Sequence, residues 1–167
     1  YSKGLKARGW TLMSASDLML ANLNPERTLE EVFDAGFYPP LEIEKEQVRS
    51  VLDSFYVQEF PKLRTLTQNR PEAVKLVKTA LTRCYRVAIA TNSLFPRTAV
   101  TQRLEWAGLS PEEFPFALIP SYSTFHFAKP NPAYFSELLA KLAWPEGVVV
   151  MAGDSITNDI TSAFQSG

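Results

Sequence analysis

The chain has a single cysteine among its 167 residues, and this scarcity excludes one way of stabilising the fold. Because Cys84 has no second cysteine to pair with, no disulfide forms within the chain, which suits a reducing compartment and favours a cytoplasmic location. Cys84 falls among apolar positions at the end of a predicted helix. The sequence therefore predicts a buried structural thiol rather than a nucleophile.

Long apolar runs and an excess of one charge are also absent. No run approaches the roughly 18 apolar residues that a membrane span needs, and residues 1–4 lack the apolar segment of a signal peptide. Lysine and arginine number 17 and aspartate and glutamate 18, so no basic excess indicates a nucleic-acid partner. The 46% hydrophobic and 21% charged content is typical of a folded protein, and its oligomeric state stays open.

The pattern of the chain changes near residue 70. Residues 1–70 predict helices and no strand, and Thr28 is placed to cap a helix that begins at Leu29. Beyond them, apolar periodicity predicts helices that alternate with buried strands. The predicted helices begin at Pro71 and span 96–107 and 132–143; the strands span 86–91, 116–119 and 148–152. This alternation predicts an α/β fold with a doubly wound parallel sheet over 71–167 and a helical accessory domain over 1–70.

Polar side chains follow each predicted strand or precede the next helix. Thr91 and Asn92 end the first strand, Lys129 lies in a proline-flanked loop, and Asp154 and Asp159 follow the last strand. Parallel strands place these positions at one edge of the sheet, where a hydroxyl, a cation and two carboxylates suit phosphate and Mg²⁺. Taken singly, each has a simpler interpretation as a turn residue, a solvated lysine, a helix cap or a solvent-facing acid.

Three stretches together resemble motifs of the haloacid dehalogenase superfamily. They are Ile89-Ala90-Thr91-Asn92, Lys129-Pro130-Asn131-Pro132 and Gly153-Asp154-Ser155-Ile156-Thr157-Asn158-Asp159. In order and separation they are similar to that family's second, third and fourth motifs, and the resemblance covers residues 71–167. It implies a Rossmann-like core with a helical cap between the first and second motifs, which residues 1–70 would supply.

The resemblance also implies roles for individual residues. Thr91 and Asn92 would bind the phosphoryl group, and Lys129 would steady that group and the charge of the nucleophile, which makes Thr91 and Lys129 the expected catalytic residues. Asp154 would bind Mg²⁺, and Asp159 would support the metal site or orient Lys129. The Gly-Asp form of the fourth motif resembles the family's phosphatases. The implied activity is Mg²⁺-dependent hydrolysis of a small phosphate monoester through an aspartyl-phosphate.

The family's first motif, Asp-x-Asp after an apolar strand, has no counterpart in these residues. Asp17, Asp34 and Asp53 neither follow an apolar strand nor precede a second aspartate by two residues. That motif supplies the nucleophile, and its strand would lie between those ending at Thr91 and Gly153, so its slot would be empty here. We expect the nucleophile upstream of Tyr1, as the start at tyrosine favours. The alternatives are a non-catalytic relative, and a metal-free dehalogenase or phosphonatase on the same scaffold.

His126 is the only histidine and precedes Lys129 by three residues. A general acid is one interpretation. The sequence favours instead packing between Phe125 and Phe127, or a loop contact near the cap.

Overall fold

Helices dominate the computed structural model, which describes residues 2–167 and, for residues 2–10, only the course of the backbone. Helical structure accounts for 54% of it. The α-helices among the described residues are α1 (Ser2–Leu20), α2 (Leu29–Phe37), α3 (Lys45–Ser54), α4 (Pro71–Thr82), α5 (Arg97–Trp106), α6 (Ala133–Lys141) and α7 (Ser162–Gln165). Short 3₁₀ turns span Pro39–Leu41 and Phe60–Leu66, and π-helical turns span Phe55–Glu59 and Ile156–Thr161.

The helix signals of the sequence are confirmed where local chemistry sets them. The Thr28 hydroxyl accepts from the backbone N–H of Glu31, and the Glu31 carboxylate accepts from the N–H of Thr28, so a capping box begins α2. Pro71 occupies the first position of α4, where its missing N–H is not needed. Helices α5 and α6 lie within the predicted ranges 96–107 and 132–143.

The predicted parallel sheet is wrong. Within residues 2–167 the one β-type pairing is an isolated parallel bridge between Ala88 and Leu118. Two backbone hydrogen bonds flank it, from Ile89 N–H to Leu118 C=O at 2.9 Å and from Ala117 N–H to Val87 C=O at 2.8 Å. The predicted strands 86–91 and 116–119 therefore touch over a few residues but extend into no ladder. A sheet interior needs a partner on each side of a strand, and segment 86–91 has a partner on one side among the described residues.

The third predicted strand, residues 148–152, is wrong as well. Val148 is 94% exposed and Val150 80% exposed, and no backbone hydrogen bond joins this segment to another described residue. β-branched side chains favour a strand only where neighbouring strands and a packed face receive them, so the pattern alone does not produce burial. The doubly wound α/β fold class is accordingly corrected to a mainly helical structure.

The apolar core forms two clusters. The first combines both halves of the chain, since Met19 and Leu29 pack with Phe125, Tyr134 and Leu138. The second joins the α5 side chains Val100 and Leu104 to Leu109, Phe114 and Ile119. Packed against it are three side chains of α4, Val74, Val77 and Leu81. The division into domains at residue 70 stays a prediction.

The loop of residues 121–128 is attached to the first half of the chain by three hydrogen bonds. The N–H groups of Leu29 and Glu30, in the first turn of α2, donate to the carbonyls of Phe125 (2.8 Å) and Tyr122 (2.9 Å). First-turn N–H groups have no partner inside their own helix, so the loop satisfies them. The Asn22 side-chain amide donates to the His126 carbonyl at 2.7 Å. These bonds set the path of the chain just before Lys129.

Cys84 is exposed, so the predicted buried thiol is wrong. The residue follows α4 with a φ of 61°, and Tyr85 N–H donates back to the Ala80 carbonyl, as in a helix C-terminal turn. The turn directs the thiol away from the apolar face that the helical spacing indicated. Separately, none of the helices in the described part of the chain is long and apolar enough to cross a membrane.

Candidate functional site

Lys129 is a buried lysine at the end of the 121–128 loop, with 8% of its surface exposed. Its Nζ donates to the Ala90 carbonyl at 2.7 Å and to Asp159 Oδ1 at 2.5 Å. The structure thus joins Lys129 and Asp159, and it places both beside the residue that precedes Thr91. A buried charge needs such partners, because desolvation is costly unless the charge is paired and hydrogen-bonded.

Asp159 completes the ion pair from the π-helical turn Ile156–Thr161, where it is 4% exposed. Its second oxygen, Oδ2, accepts the backbone N–H of Ser155 at 3.1 Å. Burial by itself raises the pKa of this carboxyl, but the hydrogen bonds from Lys129 and the Ser155 N–H outweigh it and hold the pKa below its usual range. Asp159 is therefore ionised at neutral pH. The Ser155 hydroxyl caps the same turn by accepting from Asn158 N–H.

Asn92 holds the backbone of Lys129 in place. Its Oδ1 accepts the Lys129 N–H at 3.0 Å, and its Nδ2 donates to the Lys129 carbonyl at 3.3 Å. Both ends of the side-chain amide are therefore engaged with one residue. The structure brings Asn92 and Lys129 together, while the predicted phosphate contact of Asn92 stays a prediction.

Thr91 lies next to this group and is half-buried. With Ile89, Val100, Arg103 and Leu104 it lines a cavity of about 170 Å³. Its carbonyl accepts a hydrogen bond from the Tyr134 hydroxyl at 2.8 Å. Its predicted binding of a phosphoryl group stays a prediction.

Tyr134 is a site residue that sequence reasoning missed, because its position on α6 indicated only an apolar face. It is fully buried, and burial raises the pKa of its hydroxyl. Its ring centroid lies 5.8 Å from Lys129 Nζ, within cation–π range. The one signal in the sequence was a tyrosine, with its polar tip, in a stripe of apolar residues.

Asp154 is exposed, and no hydrogen bond or ion pair of its carboxylate appears among residues 2–167. The structure places it near Asp159 in sequence but does not join the two carboxylates. Among the described residues, no group of three or more histidine, cysteine, aspartate or glutamate side chains is arranged to hold a metal. The predicted roles of Asp154 and Asp159 toward Mg²⁺ stay predictions.

The model of a hydrolase family, described as haloacid dehalogenase-like hydrolase, matches residues 12–167. No curated protein and no solved structure gives a significant match.

Proposed function

The chain belongs to the haloacid dehalogenase-like hydrolases, and from this membership we propose that it hydrolyses small phosphate monoesters with Mg²⁺ as cofactor. The observation that carries the proposal is the Lys129 ammonium, held between Asp159 and the Ala90 carbonyl. An ammonium has three N–H donors, and two of them are used among the described residues. The third would donate to a phosphoryl oxygen, in a site that already fixes the cation in place.

Thr91 and the chain that follows it supply further donors. The backbone N–H groups of Asn92 and Ser93 donate to no other described residue, and the Thr91 hydroxyl is directly adjacent. Free N–H groups at successive residues suit the oxygens of a phosphate. Asn92 thus contributes its main chain, since its side chain holds Lys129.

The proposed Mg²⁺ ion would need only one carboxylate of the described residues. Magnesium is bound in proteins through one or two carboxylates, with water and substrate phosphate completing its oxygen ligands. Asp154 offers an exposed carboxylate, while both oxygens of Asp159 are already used by Lys129 and the Ser155 N–H. Asp154 would therefore hold the ion, and Asp159 would orient Lys129. When bound, the ion would offset negative charge on the phosphoryl oxygens.

The proposed mechanism also needs a nucleophile. An aspartate carboxylate would attack phosphorus and break its bond to the ester oxygen, which takes up a proton and leaves as the alcohol. Water would then cleave the aspartyl-phosphate to aspartate and inorganic phosphate. Asp17, Asp34 and Asp53 make no contact with Lys129, and the Asp34 carboxylate lies 2.7 Å from Lys45 Nζ instead. Within residues 2–167 the only aspartate on Lys129 is Asp159. The second candidate is a non-catalytic protein that binds phosphate at the same donors, the Lys129 ammonium and the N–H groups of Asn92 and Ser93.

The test uses the intact protein with p-nitrophenyl phosphate. Hydrolysis that requires Mg²⁺, stops with EDTA and disappears in Lys129→Met supports the phosphatase, with Glu113→Gln as the exposed control. Turnover that is unaffected by EDTA contradicts it. Halide release from a haloacid would indicate a dehalogenase, and cleavage of phosphonoacetaldehyde would indicate a phosphonatase. Calorimetric binding of phosphate without turnover would support the non-catalytic binding protein.

The partner in the proposed reaction is a small phosphorylated molecule. We also propose a cytoplasmic location, because a single exposed cysteine suits a reducing compartment.

A further inference from the structure

Glu137, on α6, is a carboxylate aimed into the 121–128 loop. Its side chain is 11% exposed. Oε2 accepts two consecutive backbone N–H groups, from His126 at 2.9 Å and from Phe127 at 3.2 Å. Oε1 lies 2.8 Å from His126 Nδ1 and 3.6 Å from Lys141 Nζ. An ionised carboxylate only accepts, so His126 donates from Nδ1 and its ring is fixed as well.

The opposite side of the same peptide is also held. The His126 carbonyl accepts from the Asn22 amide, so the residue is anchored through its N–H, its carbonyl and its ring. Residue 128, which follows Phe127, is fully buried in the first apolar cluster. The backbone of residues 126–128, just before Lys129, therefore has little freedom to move.

We propose that Glu137 is a positioning residue for Lys129. Its hydrogen bonds and ion pairs are with His126, Phe127 and Lys141 rather than with Lys129. It fixes the chain two residues before Lys129, and Asn92 fixes the Lys129 peptide itself. Between these anchors the Lys129 side chain reaches the Ala90 carbonyl and the Asp159 carboxylate. Only the catalytic consequence rests on the proposed function, since the positioning is a property of the fold.

Loss of Glu137 leaves two backbone N–H groups without acceptors, and a buried donor without a partner is costly. The loop would then sample positions in which Lys129 leaves Asp159 and meets solvent. Glutamine at this position keeps one acceptor oxygen in nearly the same volume, so it restores part of the anchoring. We therefore expect the loop before Lys129 to be less firmly anchored in Glu137→Ala than in Glu137→Gln.

The experiment measures the reactivity of individual lysines. Wild type, Glu137→Ala, Glu137→Gln and the exposed control Glu113→Ala are treated with limiting acetic anhydride, and acetylation is quantified by peptide mass spectrometry. Lys45 is the internal reference, because its Nζ is ion-paired to the Glu30 and Asp34 carboxylates and not to Glu137. We expect Lys129 acetylation relative to Lys45 to rise about tenfold in Glu137→Ala, less in Glu137→Gln and not at all in the control.

Equal rises at Lys129 and Lys45 would show general unfolding, and an unchanged ratio would show no anchoring; both overturn the inference. Kinetics with p-nitrophenyl phosphate add the catalytic arm. We expect kcat to fall in Glu137→Ala, with partial recovery in Glu137→Gln. If the wild type shows no turnover, the proposed function fails while the acetylation ratios still decide the positioning role.

Discussion

The backbone of Gly153 lies directly against the carboxylate of Asp159. A Cβ at residue 153 would overlap the Oδ2 and Cγ atoms of that carboxylate. The glycine of the Gly-Asp pair is therefore required by a close approach, since no other residue leaves space for the buried ion pair with Lys129.

Gly153→Ala is expected to displace Asp159 and weaken the pair. Because the overlapping atoms belong to a buried side chain held on both oxygens, the overlap is relieved only by moving that side chain. We expect a loss of about 1–3 kcal/mol in the free energy of unfolding, measured by urea denaturation. Ala152→Ser, at an exposed neighbouring position, is the control and should unfold like the wild type. An alanine variant as stable as the wild type would contradict the close approach.

Breaking the ion pair from one side should cost more than removing both charges. Lys129→Met leaves the Asp159 carboxylate buried without its cation, so we expect a loss of about 3–5 kcal/mol. In Lys129→Met/Asp159→Asn no uncompensated charge remains, and the loss should be smaller than in Lys129→Met alone, and therefore smaller than the sum of the two single changes. A double-mutant cycle of the free energies of unfolding, each measured by urea denaturation, gives this coupling energy. Simple additivity would mean that the two groups do not interact.

The ion pair also sets a pH dependence of stability. The pKa of Asp159 is lower in the folded chain than its ordinary value of 3.8. Its stabilising contribution is therefore complete above 3.8 and is lost as the pH falls from there through the folded pKa. The difference in free energy of unfolding between wild type and Asp159→Asn should be constant from neutral pH to about pH 5 and shrink in more acid solution. Urea denaturation across this range tests it, and a difference that grows on acidification has the wrong sign.

Asp154→Asn should separate metal binding from folding. This exposed side chain makes no hydrogen bond or ion pair within the described part of the chain, so its replacement should change the free energy of unfolding by no more than about 0.5 kcal/mol. If Asp154 holds Mg²⁺, the variant should lose Mg²⁺-dependent turnover and the heat of Mg²⁺ binding in calorimetry. Asp53→Asn, at another exposed aspartate, is the matched control. Undiminished Mg²⁺ binding in Asp154→Asn would remove this residue from the metal site.

The sequence predicted what depends on local chemistry. The capping box at Thr28 and helices α4, α5 and α6 follow from side chains a few residues apart, and the three motifs identified the family. The strands were wrong because a strand exists only through hydrogen bonds to distant segments. Residues 148–152 have a strand-like composition, but no described segment lies beside them.

The sequence predicted most of the residues that form the site, but only some of the contacts between them. Motif order placed Lys129 and Asp159 together, and the structure joins them although it has no sheet. The anchoring role of Glu137 had no signal, because the contact crosses eleven residues between a loop and a helix face. The backbone N–H groups that the Glu137 carboxylate accepts can be identified only from the folded structure.

The three hydrogen bonds that attach the 121–128 loop to Asn22, Leu29 and Glu30 have a consequence for proteolysis. The loop carries Tyr122, Phe125 and Phe127, all of them residues after which chymotrypsin cleaves. A protease must draw its substrate away from the protein into an extended form, which this attached loop resists. Chymotrypsin should therefore cut the folded chain at exposed aromatic residues outside the loop, such as Tyr85, Trp144 and Phe164, and reach the loop only after global unfolding.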